Sequence, residues 1–377
     1  MTEERDALIQ AVREFADAEL APNAERWDAE HHFPIDTLRL AGQLGLGGVY
    51  VREDVGGSGL SRLDAVAMFE ELAKGDTTIA AYISIHNMVT WMIDTFGDDE
   101  QRRRWVPGLA AMTELGSYCL TEPGAGSDAT ALTTSARRDG DDYVINGVKQ
   151  FISGAGSSAL YIVMARTGEP GAKGISAIVV PDGTPGLGFG RNEEKMGWHA
   201  QPTRQVLFDE VRVPVANRLG AEGDGFGIAM RGLNGGRVNI GAVSLGGAQW
   251  ALDRTLRYVH ERETFGAPLA ANQSVVFTLA DMETELQAAR ALLQRAAIKL
   301  DEGASDVVAA CAMAKRFATD AAFGVANSAL QLHGGYGYLR EYGIERVVRD
   351  LRVHQILEGT NEIMRLIVGR RLVDGSA

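Results

Sequence analysis

Apolar positions recur at near-helical spacing through residues 1–116: Leu8, Val12, Phe15 and Leu20 form one stripe, and a second amphipathic stretch ends over 41–48. Glycine-rich breaks separate these stretches. The loop GGSGLS at 56–61 leads into a helix, because Ser61 can cap and 63–73 carries the next apolar stripe. Another helix is predicted over 84–96, with Trp91 and Met92 among its apolar residues. The pattern changes at residue 117. Residues 143–151 alternate around Asn146-Gly147, a pair that tolerates positive φ and therefore predicts a hairpin turn. Short β-rich runs follow at 161–165, 175–180 and 206–213. Beyond 225 the helical period returns in long alanine-rich stretches over 242–261, 274–300 and 307–332, which pack best as an antiparallel bundle. The predicted order is an N-terminal helical domain (1–116), a middle β domain (117–225) and a C-terminal helical bundle (226–377).

At 377 residues the chain is too long for one small core, so two or three units are expected. Lys+Arg 37 against Asp+Glu 50 gives a net charge of −13, and no run of five basic residues occurs. That balance argues against a nucleic-acid face, which needs clustered cations, but leaves room for a small anion held by one or two arginines. Two cysteines, Cys119 and Cys311, are too few for a disulfide framework and suit a reducing compartment. The acidic, helical N-terminus has neither the basic start nor the apolar core of a secretion signal. No apolar stretch approaches the roughly 20 residues of a membrane span. A cytoplasmic protein without a membrane span is expected, and no metal site is assigned.

Several segments carry candidate chemistry. CLTEPGAGSDA (119–129) joins a strand end, a proline turn, glycines and small hydroxyls, and suits the rim of a planar ring or a phosphate; its spacing alone equally describes a surface turn. FISGAG (151–156) places an aromatic and a hydroxyl two apart, hence on one strand face, as cofactor cover or as plain core. In RGLNGGRVN, Asn234 and Arg237 lie about one helical turn apart near a predicted helix start, able to meet a phosphate or an adenine ring, or only solvent. Arg262 precedes the break at Gly266 and Pro268, as a dipole partner or a pyrophosphate clamp. QLHGGYGYL (331–339) reads as a helix end opening into a glycine turn, beside a ligand or as a plain stop. Glu358 follows the apolar pair Ile356-Leu357; desolvation there would raise its pKa toward that of a base working near neutrality, although Glu-Gly is also a common turn.

In this order and on an α–β–α frame, YCLTEPGAGSDA, FISGAG, ERETFG, QLHGGYGY and ILEGTNEI resemble the signature segments of the acyl-CoA dehydrogenases, over residues 5–372. KGISAIVV, GWHAQPTRQVLF and RGLNGGRVNI resemble the short branched-chain subgroup, which includes members acting on isobutyryl-CoA; isobutyryl-CoA is the leading substrate expectation, with 2-methylbutyryl-CoA and straight-chain butyryl-CoA as alternatives. The resemblance implies helical outer domains around a β-barrel-like middle domain, with a C-terminal four-helix bundle. It implies noncovalent FAD, a homotetramer built as a dimer of dimers, and an electron-transfer flavoprotein as acceptor. Tyr118, Leu120, Thr121, Gly126 and Ser127 would line the flavin, covered on its other side by Phe151, Ile152 and Ser153. Arg262 and Gln273, with Gln331, Leu332, His333, Gly334 and Gly335, would hold the ADP part of a neighbouring subunit's FAD. Thr360, Asn361 and Glu362 would touch the cofactor near the catalytic loop. Ser127, Leu233, Asn234, Gly235, Gly236, Arg237 and Arg370 would meet the acyl-CoA. Glu358 would be the base, with its backbone N–H and a ribityl hydroxyl stabilising the enolate oxygen. Some relatives place the base where this chain has Gly236, which cannot serve. An oxidase on the same fold and a non-catalytic binding protein are the rival readings.

Overall fold

The computed structural model describes residues 3–374; residues 1–2 and 375–377 of the outer units lie outside the described residues. Six helices come first: α1 (Glu3–Phe15), α2 (Ala24–Glu30), α3 (Ile35–Gln43), α4 (Arg62–Gly75), α5 (Thr77–Phe96) and α6 (Asp99–Ala110). Ser61 caps α4 in a reciprocal box with Asp64, as GGSGLS predicts. Asp76 caps α5, which begins seven residues before the predicted start. Residues 77–83 are buried on every side, so no polar face marks that first turn.

Eight strands follow: β1 (Gly116–Cys119), β2 (Ser135–Asp139), β3 (Asp142–Ser153), β4 (Leu160–Arg166), β5 (Ile175–Pro181), β6 (Leu187–Phe189), β7 (Thr203–Pro214) and β8 (Arg218–Leu219). They form one sheet in the order β6-β7-β3-β2-β4-β5-β8, with β1 parallel to β4. Among the described residues β6 and β8 do not pair, so the sheet stays open rather than closing into the expected barrel. Asn146-Gly147 is not a hairpin turn. It lies inside β3 at a register break against β7, while β2 turns into β3 at Gly140-Asp141. The positive φ of Gly147 (146°) is used for a bulge, where a Cβ would stand 2.6 Å from the Thr134 hydroxyl. Strand β4 is buried on both faces: Leu160, Ile162 and Met164 join α5 and α6, whereas Tyr161, Val163 and Ala165 pack with β3 and β7.

The C-terminal part contains α7 (Gly225–Glu261), α8 (Gln273–Asp301), α9 (Val307–His333), α10 (Ile344–Arg352) and α11 (Asn361–Val373). α7 runs 37 residues, about 55 Å, and begins well before the predicted start at 242. RGLNGGRVN is therefore interior to a helix, not near its start. Its glycines disfavour a helix in isolation, but close packing against other helices outweighs that propensity. Residues of α4, α5, α7, α8 and α9 share one hydrophobic cluster, so the two helical parts form a common core.

Candidate active site

Glu358 sits in the short turn between α10 and α11, where Thr360 caps α11. Glu358 and Gly359 are both left-handed, at φ 56° and 88°. For glutamate that conformation costs of order 1–3 kcal/mol and persists only when neighbours enforce it. Two buried cations do so. Arg237 on α7 donates from Nε to the Glu358 carbonyl at 3.1 Å and from Nη1 to Asn234 Oδ1 at 2.8 Å. Lys315 on α9 donates from Nζ to the Gly359 carbonyl and to Asn361 Oδ1, each at 2.9 Å.

The Glu358 residue is partly exposed, but its Oε2 is buried and makes no hydrogen bond among the described residues. A Cβ on Gly236 would stand 2.5 Å from that oxygen, so α7 must present glycine there. Burial drives the carboxyl up to about 7, against the opposing pull of Arg237 and Lys315. The apolar pair invoked from sequence contributes less than expected, since Ile356 is 51% exposed. The Glu358 N–H pairs with no backbone carbonyl of the described residues. Tyr118 lies near enough to feel the glutamate's charge; burial, then Glu358, raise its phenol, whose oxygen is buried without a partner. Tyr50, missed from sequence, also interacts with that charge and accepts from Asn239 Nδ2 at 3.0 Å. The Arg62 guanidinium stacks 3.4 Å above the Tyr50 ring and 4.9 Å from that of Trp91.

The loop after β1 is pinned from below. Glu122 accepts from Thr133 N (2.6 Å), the Thr133 hydroxyl (2.8 Å), Thr134 N (2.9 Å) and Lys149 Nζ (2.8 Å). Lys149 also donates to the Leu120 carbonyl at 3.0 Å. Gln150 N donates to the Thr121 carbonyl at 2.8 Å, joining this loop to the start of FISGAG. There the one-face argument for Phe151 and Ser153 fails. A register break between Lys149 and Ile152 puts Phe151 at φ 60°, with the residue 63% exposed. Ile152 is buried, and Ser153 is half-buried, its hydroxyl accepting from Gln201 at 3.2 Å. Gly126 and Ser127 are exposed, and Leu120 and Thr121 are intermediate.

Other predicted residues gather elsewhere. Arg262 follows the far end of α7, 5.6 Å from the Tyr336 ring, and its carbonyl accepts from Leu269 N just before Gln273 opens α8. Gln331, Leu332 and His333 close α9, followed by Gly334 and Gly335. His333 is turned inward, stacked on Tyr258 at 4.2 Å. Asn361 is likewise buried, its amide donating to Thr319 and Asp320 while its carbonyl accepts from Lys315; that side chain is engaged inside the protein and not free for a cofactor. Glu362 is exposed. Arg370 lies nine residues along α11, about 13 Å from Asn361, in a shallow groove of about 510 Å³. Arg237 is 4% exposed and faces the Glu358 turn, so its guanidinium serves that loop rather than an open ligand surface. Leu233 is half-buried, and Gly235 lies against Arg62.

An α–β–α chain with a buried, unpartnered glutamate held against a helix of glycines is the frame of one enzyme family. The chain matches the family models for the acyl-CoA dehydrogenase N-terminal domain over residues 2–113, middle domain over 117–211 and C-terminal domain over 223–373. It belongs to the acyl-CoA dehydrogenase family and is an oxidoreductase. Mitochondrial isobutyryl-CoA dehydrogenase of Bos taurus is 53% identical over 99% of this chain and 90% of its own length. Butyryl-CoA dehydrogenase of Megasphaera elsdenii superposes with a TM-score of 0.96 at 38% identity, covering 99% of each chain. A structure of PigA with FAD and proline superposes with a TM-score of 0.95 at 28% identity, over 99% of this chain and 98% of the other. No helix among the described residues is long and apolar enough to cross a membrane.

Proposed function

We propose that this enzyme dehydrogenates a short, branched C4 acyl-CoA, isobutyryl-CoA first, to the 2-enoyl thioester, with Glu358 as the base. The carrying observation is the buried Glu358 carboxyl, near neutrality in proton affinity and without a hydrogen-bond partner on Oε2. Such a group binds a proton from carbon without first surrendering a protein hydrogen bond. The free Glu358 N–H supplies a donor for the thioester oxygen, where charge develops as the α-proton leaves. The similarity to isobutyryl-CoA dehydrogenase supports the branched substrate.

The residues fit a bound FAD. Phe151 offers an exposed ring, the Tyr118 hydroxyl lacks a partner, and a Cβ built on Gly124, Gly126, Gly334 or Gly335 meets open space. Bound there, FAD would accept the β-hydrogen as hydride. We assign Tyr118, Leu120, Thr121, Gly126 and Ser127, with Phe151, Ile152 and Ser153, to the ring, and Thr360 and Glu362 to its neighbourhood. Arg262, Gln273 and 331–335 we assign to the ADP part of a neighbouring subunit's cofactor within a homotetramer. Ser127, residues 233–236 and Arg370 belong to the acyl-CoA. An electron-transfer flavoprotein is the proposed acceptor, in the cytoplasm, and 1–116, 117–225 and 226–377 are the proposed domain limits.

Anaerobic titration of the purified yellow protein with isobutyryl-CoA tests this reading. Bleaching of the visible flavin band with a new long-wavelength band is expected. A yellow protein that does not bleach, or a kcat/KM for hexanoyl-CoA above that for C4 thioesters, refutes the substrate. A protein that binds no FAD refutes the whole.

A further inference from the structure

Lys315 is a buried ammonium whose partners are neutral. It is 0% exposed, its two acceptors are the Gly359 carbonyl and the Asn361 amide oxygen, and among the described residues no carboxylate lies within ion-pair distance of it. It occupies the inner face of α9 among Cys311, Ala314, Ala318 and Thr319, where an apolar residue would pack at lower desolvation cost. Its charge therefore calls for a reason outside the packing.

The groups around it supply one. Glu358 and Gly359 lie in the turn that Lys315 holds, and the charges it feels most, Glu358 first, include Arg237 from α7, Asp320 from α9 and Glu362 from α11. His354, before the turn, feels the lysine charge in its own right. Glu358 faces Arg237 and Lys315, with Tyr50 and Tyr118 beside it as neutral phenols. Among the described residues two cations thus act on the carboxylate, and Arg237 grips the carbonyl of residue 358 while Lys315 grips that of 359.

We propose that Lys315 is a positioning residue for the reaction: it fixes the left-handed Glu358–Gly359 turn through the Gly359 carbonyl and keeps a positive charge beside the carboxylate that takes the proton. The proposal rests on the reading of Glu358 as the base. Burial pulls the lysine down to about 8, so it is charged at neutral pH, and from about 7 to about 8 both lysine and glutamate are ionised. Loss of the lysine charge removes one of the two cations opposing the effect of burial on Glu358. Its proton affinity then rises, and the acid limb of the pH profile moves to higher pH by about one unit or more.

The test is the pH dependence of kcat/KM with α-deuterated and ordinary isobutyryl-CoA, on FAD-loaded Lys315→Met, Lys315→Gln and Lys315→Arg proteins. Met removes charge and donor, Gln keeps a donor without charge, and Arg keeps both. Met and Gln are expected to shift the acid limb upward and lose about tenfold at a pH below it, with Gln retaining more of the plateau; Arg restores the original limb. An unmoved limb in Met or Gln, with activity lowered equally at all pH, makes the residue merely structural and overturns the proposal. So does an Arg limb displaced like that of Gln, which keeps one arm of the test if the Met protein fails to fold. Glu358→Gln run in parallel separates the premises: if it retains turnover, the base assignment has failed, not the role of Lys315.

Discussion

Breaking the Glu122–Lys149 pair should be far more damaging than removing it whole. Both side chains are almost fully buried, at 4% and 0% exposure, with Oε1 and Nζ 2.8 Å apart. Burial alone would raise the Glu122 carboxyl, yet the lysine charge and the threonine donors overrule it and hold it at about 2. For Lys149 burial wins and lowers its proton affinity despite the glutamate. The pair as a unit is thus no large net stabiliser, but each charge depends on the other. Lys149→Met leaves a buried carboxylate facing only neutral donors and should cost about 3–5 kcal/mol; Glu122→Leu should cost a similar amount. The double variant should recover most of the loss, giving a coupling of several kcal/mol. Urea unfolding of wild type, both singles and the double at pH 7 measures this. FAD content provides a second readout, because Lys149 also holds the Leu120 carbonyl. The pH sign follows from Glu122: its lowered value means stability is fully present above about 4.5, is lost as pH falls toward about 2, and is worth roughly 3 kcal/mol. A Lys149→Met protein within about 1 kcal/mol of wild type, or single losses that simply add in the double, would refute the reasoning.

Other outcomes are equally definite. Glu358→Gln should bind FAD and substrate but lose most turnover, read by single-turnover flavin bleaching; near-normal bleaching would exclude it as the base. Gly236→Ala places a methyl 2.5 Å from Oε2, so the carboxylate must move and kcat should fall at least tenfold at unchanged FAD content. The kcat/KM of the unaltered enzyme should rise with pH through about 7, because burial keeps Glu358 protonated below that value; a profile flat from 5.5 to 8 contradicts this. Arg262→Ala should reduce FAD retention or assembly, checked by absorbance ratio and sedimentation, and a fully flavinated, assembled variant removes its proposed role.

The order α, β, α was readable because helix and strand periods alternate cleanly, and GGSGLS because a serine followed by aspartate three residues on is a local signal. What failed was non-local. Asn146-Gly147 has the composition of a turn, but Thr134 on the neighbouring chain segment needs a glycine at that point of a strand. The first seventeen residues of α7, with their glycines, do not look helical until the elements packed against them are known. Phe151 left its predicted face because the bulge depends on the register with β7. Lys149 and Lys315 gave the one missed signal available: a lysine at an inward position of an apolar strand or helix stripe, which in isolation reads as a surface charge. Tyr50, Arg62 and Asn239 gave none, since they meet only after three separate elements converge.

The length of α7 has a consequence for how cofactor and assembly are linked. Arg237 lies on α7 and Arg262 caps its far end 25 residues on, which makes α7 a ruler of about 37 Å between the Glu358 turn and the corner at Tyr336. On the proposed roles, the ring of each FAD sits in one chain and its ADP part against Arg262 of a neighbouring chain, so each cofactor is stitched between two chains. Flavin content then reports on subunit concentration: dilution of the enzyme would bleed colour from it, and reconcentration with added FAD would return it.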